Sequence, residues 1–331
     1  MTTAAAETTM LFRPAAAGRG EGRVNAPSRE MDSRMTRPGR IPGHPRTRRT
    51  GGGEYGRQTL MDKPTLTPVT PMSPPAPYVG GKRQLAGRIA ELIDATPHDT
   101  YAEAFVGMGG VFLRRARRPK AEVINDASGD VATLFRILQR HYPQFMDTLR
   151  FQVTSRRRFE ELARTDPTTL TDLERSARFL YLQRLSFGGK VASRTFGVDP
   201  RRGARFDLTT LGPRLEELHE RLAGVTVECL DFEVFLDRYD RAYTLFYLDP
   251  PYVGSEGYYG KELFGPADLA RLAARLRRLK GRFILSNLNC PEVREAFAGC
   301  KMIEVPVTYT VAGGGGSKSV GELIVMGGGA G

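Results

Sequence analysis

The stretch TYAEAFVGMGGVFLRRARRPKAEVIND, residues 100–126, indicates the fold class. Its opening run, residues 100–106, is mostly apolar and predicts a short buried strand, and the glycines in residues 107–110 predict a tight turn. Residues 111–118 predict a helix, and residues 122–125 predict a second strand. Strand, glycine turn, helix and strand together form a βαβ unit, which is a building block of mostly parallel sheets.

The chain on either side of this unit continues the alternation of helices and strands. Apolar residues recur at helical spacing in some segments and form short continuous runs in others. Helices are predicted at residues 82–95, 131–142 and 266–279, and strands at residues 243–248, 282–286 and 302–307. We therefore expect an α/β fold with a doubly wound, mostly parallel sheet.

The first 75 residues have a different character. They are rich in Arg, Gly, Pro, Thr and Ala, and they show neither the helical nor the strand period, which predicts a disordered basic tail over residues 1–75. Twelve basic and six acidic residues there account for half of the net charge of the chain. The tail either contacts nucleic acid loosely or is an upstream extension of the reading frame without a role, since Met61 and Met72 are alternative starts. We favour the second interpretation.

A second change of pattern marks an insertion. Residues 144–222 are dominated by helical segments, at residues 173–185 and 211–222, around a basic stretch that contains glycines. We interpret them as an inserted, mainly helical recognition domain. Residues 76–143 and 223–331 then form the two halves of one catalytic domain.

Composition limits the partners and the cellular compartment. The formal net charge is +12 and the pI is about 9.8, which favours a polyanionic partner such as nucleic acid. The cysteines Cys229, Cys290 and Cys300 have no paired spacing, so we expect no metal site. No run of about 18 apolar residues and no secretory signal occur, so we expect a cytoplasmic protein without a membrane segment.

The glycine turn and a downstream acid predict a nucleoside site. Gly107 and Gly109 follow the first predicted strand, where small residues allow a ligand to approach the backbone. Asp126 ends the second strand, about where nucleotide-binding sheets place an acid for ribose hydroxyls. The third glycine of a dinucleotide motif is replaced by Phe112, and a phosphate loop is missing. The pattern favours an adenosine-containing cofactor without a pyrophosphate.

The motif Asp249-Pro250-Pro251-Tyr252 directly follows the predicted strand at residues 243–248. An aromatic amine is a poor nucleophile because its lone pair is delocalised into the ring. The Asp249 carboxylate and the Pro250 carbonyl can accept its hydrogens and favour the pyramidal form, which attacks a sulfonium methyl group. The two prolines hold the turn rigid, and Tyr252 offers a stacking face for a base flipped out of a duplex.

Together these motifs resemble the adenine-N6 DNA methyltransferases of the D12 class, a family that includes the DNA adenine methylase and many phage-borne relatives. The resemblance spans roughly residues 76–326. It rests on Tyr78-Val79-Gly80-Gly81-Lys82, the segment at residues 101–110, Asn125-Asp126, Asp231-Phe232, Asp249 to Tyr252, Ser286-Asn287 and the closing segment at residues 321–325. The order of the motifs, with the catalytic one after the insertion, is also that of the family.

The resemblance implies a Rossmann-like methyltransferase sheet, S-adenosylmethionine as the cofactor and double-stranded DNA as the partner. The catalytic residues it implies are Asp249, Pro250, Pro251 and Tyr252. The cofactor contacts that we infer are Tyr78, Lys82, Phe105, Gly107, Gly109, Asp126, Asp231, Phe232 and Asp249.

The basic stretch of the insertion is the expected DNA-binding surface. Residues 182–190 have an Arg-x-x-Phe-x-Gly frame like that of the family, but the residues after this frame do not closely match the hairpin by which the DNA adenine methylase reads its site. The target sequence is therefore left open. Cations mixed with aromatic residues suit phosphate contacts and stacking, and the expected DNA contacts are Lys190, Arg194, Arg201, Arg202 and Arg205.

Several alternatives stay open at this point. In the nearest alternatives, the methyl group is accepted by cytosine N4, an RNA adenine or a protein glutamine. A further alternative is an inactive methyltransferase fold that only binds nucleic acid. We expect a monomer or weak dimer, encoded by a bacterium or phage and associated with the nucleoid, that takes part in DNA methylation or restriction-modification.

Overall fold

The structure is a computed structural model that describes residues 65–197, 201, 203–252, 264–310 and 317–329. These residues belong to one compact unit, Thr59–Gly331. Most of the predicted tail, Arg202 and residues 311–316 lie outside the described residues. The tail was predicted to extend to residue 75, but Thr67–Pro68 pairs with Arg117–Arg118, and the Met72 amide donates to the Leu113 carbonyl at 2.8 Å.

The described residues contain the following strands and helices. The strands are β1 Thr67–Pro68, β2 Thr100–Glu103, β3 Arg117–Arg118, β4 Ala121–Asn125, β5 Val225–Glu228, β6 Thr244–Leu248, β7 Arg282–Leu288, β8 Lys301–Thr310 and β9 Ser317–Gly328. The helices are α1 Ala86–Ala95, α2 Gly129–Arg140, α3 Tyr142–Leu149, α4 Arg156–Arg164, α5 Asp172–Leu185, α6 Leu208–Arg221, α7 Phe232–Tyr239, α8 Pro266–Leu276 and α9 Pro291–Ala296.

A seven-stranded sheet in the order β5-β4-β2-β6-β7-β9-β8 organises the fold. The first five strands in this spatial order, β5-β4-β2-β6-β7, pair in parallel, whereas β9 runs antiparallel to both β7 and β8. The predicted mostly parallel, doubly wound sheet is therefore confirmed, with an antiparallel hairpin at one edge. The chain leaves β2 toward β4 and β5 and later returns to β6 on the other side of β2. Such a reversal of strand order opens a crevice at the carboxyl ends of the strands.

Each face of the sheet is covered by its own hydrophobic core. Strand β6 is buried along its whole length, and its side chains alternate between the two cores. Leu245 and Tyr247 join the core that contains α1, α2, α5 and α6, whereas Phe246 and Leu248 join the core under α7, α8 and α9. The helical segment predicted as an insertion thus shares a core with one face of the sheet.

The prediction of a helix at residues 111–118 is wrong. A single 3-10 turn, Phe112–Arg114, is followed by extended backbone at Arg115 and by strand β3. The reason is the burial of Arg115, whose guanidinium carbon lies 3.7 Å from the centroid of the Tyr101 ring and whose side chain forms an ion pair with Glu122. A continued helix would not hold this cation between the sheet and its carboxylate partner.

The helix predicted at residues 82–95 is confirmed over its second part. It begins at Ala86, because the glycine turn before it continues through Lys82 and Arg83. In the part of the chain that the structure describes, we find no helix long and apolar enough to cross a membrane. The same residues contain no group of three or more His, Cys, Asp or Glu side chains arranged to hold a metal ion.

Candidate active site

A cavity of about 1160 Å³ lies at the carboxyl ends of β2, β4 and β6. Its wall includes the glycine turn after β2, the acid after β4 and the motif after β6, because neighbouring parallel strands present their ends at one edge. Gly107, Asp126 and Asp249 therefore line the same space. Residues separated by more than 100 positions in the sequence meet there.

The Asp249 carboxylate is held by two side chains from distant parts of the chain. Its Oδ1 atom lies 2.7 Å from the Lys82 ammonium and accepts a hydrogen bond from the Ser286 hydroxyl at 3.1 Å. Lys82 is buried, and its ammonium also contacts the Tyr252 hydroxyl and lies 4.3 Å from the centroid of that ring. The structure thus brings together three residues that the sequence predicted for the site: Lys82, Asp249 and Tyr252.

The environment of Asp249 sets its protonation. Burial raises the pKa of this carboxyl group to about 6, although the charge and hydrogen bond of Lys82 oppose the change. The nearby Glu322, which is 3.8 Å from the Lys82 ammonium, raises the pKa further. At neutral pH the carboxylate is still mainly ionised, so it accepts hydrogens rather than donating one.

Behind Asp249 lies a fixed polar pair that the sequence did not single out for the site. The Tyr247 hydroxyl and the Ser286 hydroxyl are 2.8 Å apart, and both residues are completely buried. Because Ser286 also donates to Asp249, its side chain restricts the orientation of the carboxylate. In the sequence, Ser286 belongs to a motif shared with the family but carries no predicted role.

Asp126 ties the glycine turn to the end of β4. Its Oδ2 atom accepts the Gly107 amide at 2.9 Å, and its Oδ1 atom accepts the Ser128 amide at 2.9 Å. Burial raises the pKa of Asp126 to about 6, and the two backbone hydrogen bonds oppose the change. The carboxylate therefore stays in place with lone pairs available for a hydroxyl donor.

Gly107 is required by both its conformation and its surroundings. Its φ of +50° lies in the left-handed region, and a Cβ atom there would stand 3.0 Å from the Tyr78 ring. Tyr78 lines the cavity and packs over this turn. Gly109, with a φ of +77°, instead makes room for the Leu113 side chain and is not part of the described cavity wall.

An aromatic cluster closes another part of the wall. Phe105 lines the cavity, and its ring centroid lies 5.9 Å from that of Phe232 and 5.8 Å from that of Phe264. Phe232 is buried behind Phe105, and neither it nor Asp231 is among the described residues of the wall. The Asp231 carboxylate instead accepts the Glu233 amide at the start of α7.

Asn125 fixes the strand ends on which the cavity is built. Its amide donates to the Ala104 carbonyl at 2.9 Å and to the Leu230 carbonyl at 3.1 Å, and its oxygen accepts the Leu230 amide at 2.9 Å. The loops that follow β2 and β5 are thereby linked through the end of β4. The sequence drew attention to Asn125 only as the neighbour of Asp126.

Glu103 is a cavity residue that sequence reasoning missed. It is the last residue of β2, is only 2% exposed, and accepts a hydrogen bond from the Tyr101 hydroxyl at 2.6 Å. Burial raises the pKa of Glu103 to about 8, so it is mainly protonated at neutral pH. An acidic residue inside an otherwise apolar strand was the signal in the sequence.

The structure places the predicted DNA-binding residues in different surroundings. Arg205 lines the cavity, Arg201 is exposed and Lys190 is half-buried, while Arg202 lies outside the described residues. Arg194 is turned inward, with its guanidinium 5.5 Å from the Phe179 ring centroid, and burial lowers its pKa to about 10.

The frame at residues 182–190 has a structural role that its sequence did not reveal. The Gln183 amide donates to the Pro77 carbonyl at 2.8 Å and to the Gly189 carbonyl at 2.6 Å. The Val79 amide also donates to Gly189. The helical segment therefore supports the turn that carries Tyr78 and Lys82.

The chain is similar to known methyltransferases. The family described as D12 class N6 adenine-specific DNA methyltransferase matches residues 78–311. The Type II methyltransferase M1.LlaDCHI of Lactococcus lactis subsp. cremoris is 26% identical over 264 residues, which cover 74% of this chain and 91% of that protein. The Type II methyltransferase M.CviBI of Paramecium bursaria Chlorella virus NC1A is 22% identical over 232 residues, covering 69% and 87%.

Among solved structures, the precorrin 8W decarboxylase of Methanobacterium thermoautotrophicum is similar over 74% of this chain and 89% of its own, at 15% identity and a TM-score of 0.34. A likeness of that size carries no argument about function.

Proposed function

This chain belongs to the D12 class N6 adenine-specific DNA methyltransferase family, and on that premise we propose that it transfers a methyl group from S-adenosylmethionine to the N6 amine of adenine in double-stranded DNA. The observation that carries the proposal is the position of the Asp249 carboxylate. It is held by Lys82 and Ser286 in the same cavity as Asp126 and the glycine turn. An acceptor for amine hydrogens thus faces the place where a nucleoside cofactor fits.

The cavity wall suits S-adenosylmethionine at its glycine-turn end. Gly107 and Asp126 both line the cavity there, and the Asp126 carboxylate has lone pairs for ribose hydroxyls. The Phe105 ring offers an apolar face to an adenine ring. When bound, the cofactor would supply an electrophilic methyl group, whose bond to the positively charged sulfur breaks and leaves the electron pair on a neutral thioether.

The acceptor amine is activated by groups of this chain. Asp249 accepts one N6 hydrogen and the Pro250 carbonyl accepts the other. The nitrogen lone pair is then localised on the nitrogen instead of in the ring, and it can attack the methyl carbon. As the new nitrogen–carbon bond forms, the amine must lose one proton, and the Asp249 carboxylate is the base placed to take it. Lys82 keeps that carboxylate ionised and in position.

The helical segment at residues 144–222 is proposed as the target-recognition part of the enzyme. Its support for the Tyr78 turn, through Gln183, and its contribution of Arg205 to the cavity wall favour this role. The base that enters the cavity would be flipped from the duplex, because its amine is not accessible inside the stack. We propose that the enzyme acts as a monomer or weak dimer.

The test is methyl transfer from labelled S-adenosylmethionine to unmethylated genomic DNA, followed by nucleoside digestion and mass spectrometry. We expect N6-methyladenine from the wild-type enzyme. Asp249→Asn should lower the rate by about 10²–10³ or more, because it removes a preorganised charge at the reacting amine. Glu295→Gln, at an exposed carboxylate on α9 outside the cavity wall and the helical segment, is the control and should retain full activity.

Other results would contradict the proposal in distinguishable ways. Label in N4-methylcytosine, in RNA or in a protein glutamine would assign another acceptor. No transfer and no cofactor affinity by calorimetry would indicate an inactive fold that only binds nucleic acid.

A further inference from the structure

The wall of the active-site cavity carries more positive than negative charge. Its acidic members are Glu103, Asp126 and Asp249. Asp249 is paired with Lys82, and Glu103 is buried and mainly protonated at neutral pH. The basic side chains in the wall are Lys82, Arg83, Arg114, Arg184, Arg205 and Arg214. The excess charge is far larger than a single cofactor carboxylate would balance.

Two of these arginines have structural hydrogen bonds to backbone carbonyls. Arg184 donates to the Pro75 carbonyl at 2.7 Å and, through two nitrogens, to the Arg205 carbonyl at 2.9 and 2.7 Å. Arg114 donates to the Gly110 carbonyl at 2.6 Å. These bonds fix the walls of the cavity, and the guanidinium of Arg114 retains donors for a ligand.

The other wall arginines are presented to solvent without acidic partners. Arg83 and Arg214 are exposed, and Arg205 is half-buried. Within the described ranges, no carboxylate lies at ion-pair distance from Arg83, Arg114, Arg205 or Arg214. Some surface arginines elsewhere do pair with acids: Arg136 with Asp172, Arg271 with Glu233 and Arg294 with Glu304.

Like charges also face each other across this wall. Burial and then the charge of Arg83 lower the pKa of Arg114, and burial and then the charge of Arg214 lower the pKa of Arg184. Cations placed close together without counter-ions are stabilised by a polyanionic ligand. A nucleic acid backbone, with one negative charge for each nucleotide, is such a ligand.

We propose that Arg83, Arg114, Arg205 and Arg214, here called the arginine rim, bind the backbone phosphates on either side of the target nucleotide in duplex DNA. The inference rests on the proposed function and adds the surface that holds the substrate. Arg83 and Arg114 each follow a glycine turn of the catalytic part, while Arg205 and Arg214 belong to the helical segment. A nucleotide flipped toward Asp249 has a phosphate on each side, which matches two separate pairs of cations.

The experiment uses the two exposed members, because their replacement leaves every described hydrogen bond intact. Arg83→Gln, Arg214→Gln and the double variant are compared with Arg278→Gln, an exposed arginine just beyond α8 on the opposite face of the sheet. For each variant, the affinity for one unmethylated DNA duplex of fixed length is measured as a function of sodium chloride concentration. The affinity for S-adenosylmethionine is measured by calorimetry on the same samples.

Each single variant should lower the magnitude of the slope of log affinity against log salt by about 0.9, and the double variant by about 1.8. The reason is that a phosphate no longer contacted by the protein keeps its counter-ion. Near 0.1 M salt this corresponds to about an eightfold loss of affinity for each contact. Arg278→Gln should retain the wild-type slope, and cofactor affinity should stay unchanged in all variants.

Three outcomes would overturn the arginine rim as a DNA site. The first is an unchanged slope in the double variant, and the second is an equal change in Arg278→Gln. The third is tighter binding of an RNA duplex of the same length with the same slope changes. Failure of the proposed function is seen separately, since it would appear as a different methylated product from the wild-type enzyme.

Discussion

Gly107→Ala is the sharpest test of the cofactor end of the cavity. At a φ of +50°, an alanine costs about 1–2 kcal/mol relative to glycine because its Cβ crowds the following carbonyl oxygen. The new Cβ would also stand 3.0 Å from the Tyr78 ring, so either the ring or the turn must move. If the turn moves, the hydrogen bond from the Gly107 amide to Asp126 is lost, which costs about 1.5–3 kcal/mol for a charged acceptor.

A matched control separates these contributions. Gly224 has a φ of +79° and open space around its Cβ position, so Gly224→Ala introduces the backbone cost without a clash. We expect Gly224→Ala to lower the free energy of unfolding by about 1–2 kcal/mol. Gly107→Ala should lower it by about 2.5–5 kcal/mol. Adding Tyr78→Ala to Gly107→Ala should recover most of that difference, because the clashing ring is gone.

The assay combines urea unfolding with calorimetric titration of S-adenosylmethionine. Gly107→Ala should weaken cofactor binding by about tenfold or more, equivalent to about 1.4 kcal/mol, whereas Gly224→Ala should bind as the wild type does. Cofactor affinity within about twofold of wild type in a folded Gly107→Ala protein would refute the placement of the cofactor at this turn. Equal destabilisation by the two alanines would refute the clash with Tyr78.

Three further predictions concern the charged groups. Methyl transfer in single-turnover pH profiles should fall as the pH decreases through about 6, because burial raises the pKa of Asp249 to about 6 and only its ionised form accepts the amine hydrogen. A profile that stays flat to about pH 4, near the ordinary pKa of an aspartate, would contradict this. Lys82→Met should move the midpoint of the acidic limb of this profile upward by about 1–3 pH units, because a nearby opposite charge lowers a carboxyl pKa by that amount. An unchanged midpoint would show that the ion pair does not control the pKa of Asp249. Glu122→Gln should lower the free energy of unfolding by about 3–5 kcal/mol in urea titrations, because the buried Arg115 and Arg221 would lose their shared carboxylate; a change under about 1 kcal/mol would mean that the pair is solvated.

The proposed active site could be predicted from short segments because its signals are local. A buried strand followed by Asp249 and two prolines, and a strand–glycine turn–strand unit ending in Asp126, depend only on apolar periodicity and backbone restriction. Both motifs also lie at the carboxyl ends of parallel strands. They therefore lie at one edge of the sheet, independently of the structure of the residues between them. The fold class and the meeting of these two acids therefore followed from the sequence.

Contacts between distant charged residues depended on the tertiary structure. Arg115 was predicted on a helix because its neighbours have helical propensity, yet burial against Tyr101 and Glu122 keeps its backbone extended. Arg194 resembled a DNA contact in a basic stretch, but its side chain packs toward Phe179. The sequence records that a residue is charged but not whether it faces solvent or which charges surround it.

The alternation of strands and helices, the glycine turn and the Asp249 to Tyr252 motif could be predicted from the amino-acid sequence, since these features depend on neighbours along the chain. The packed structure was needed to show that Lys82 and Ser286 hold Asp249, that Glu103 enters the cavity, and that Arg83 and Arg214 share its wall. Electrostatic interactions act through space and are strengthened by burial, so they are fixed only when distant segments pack together.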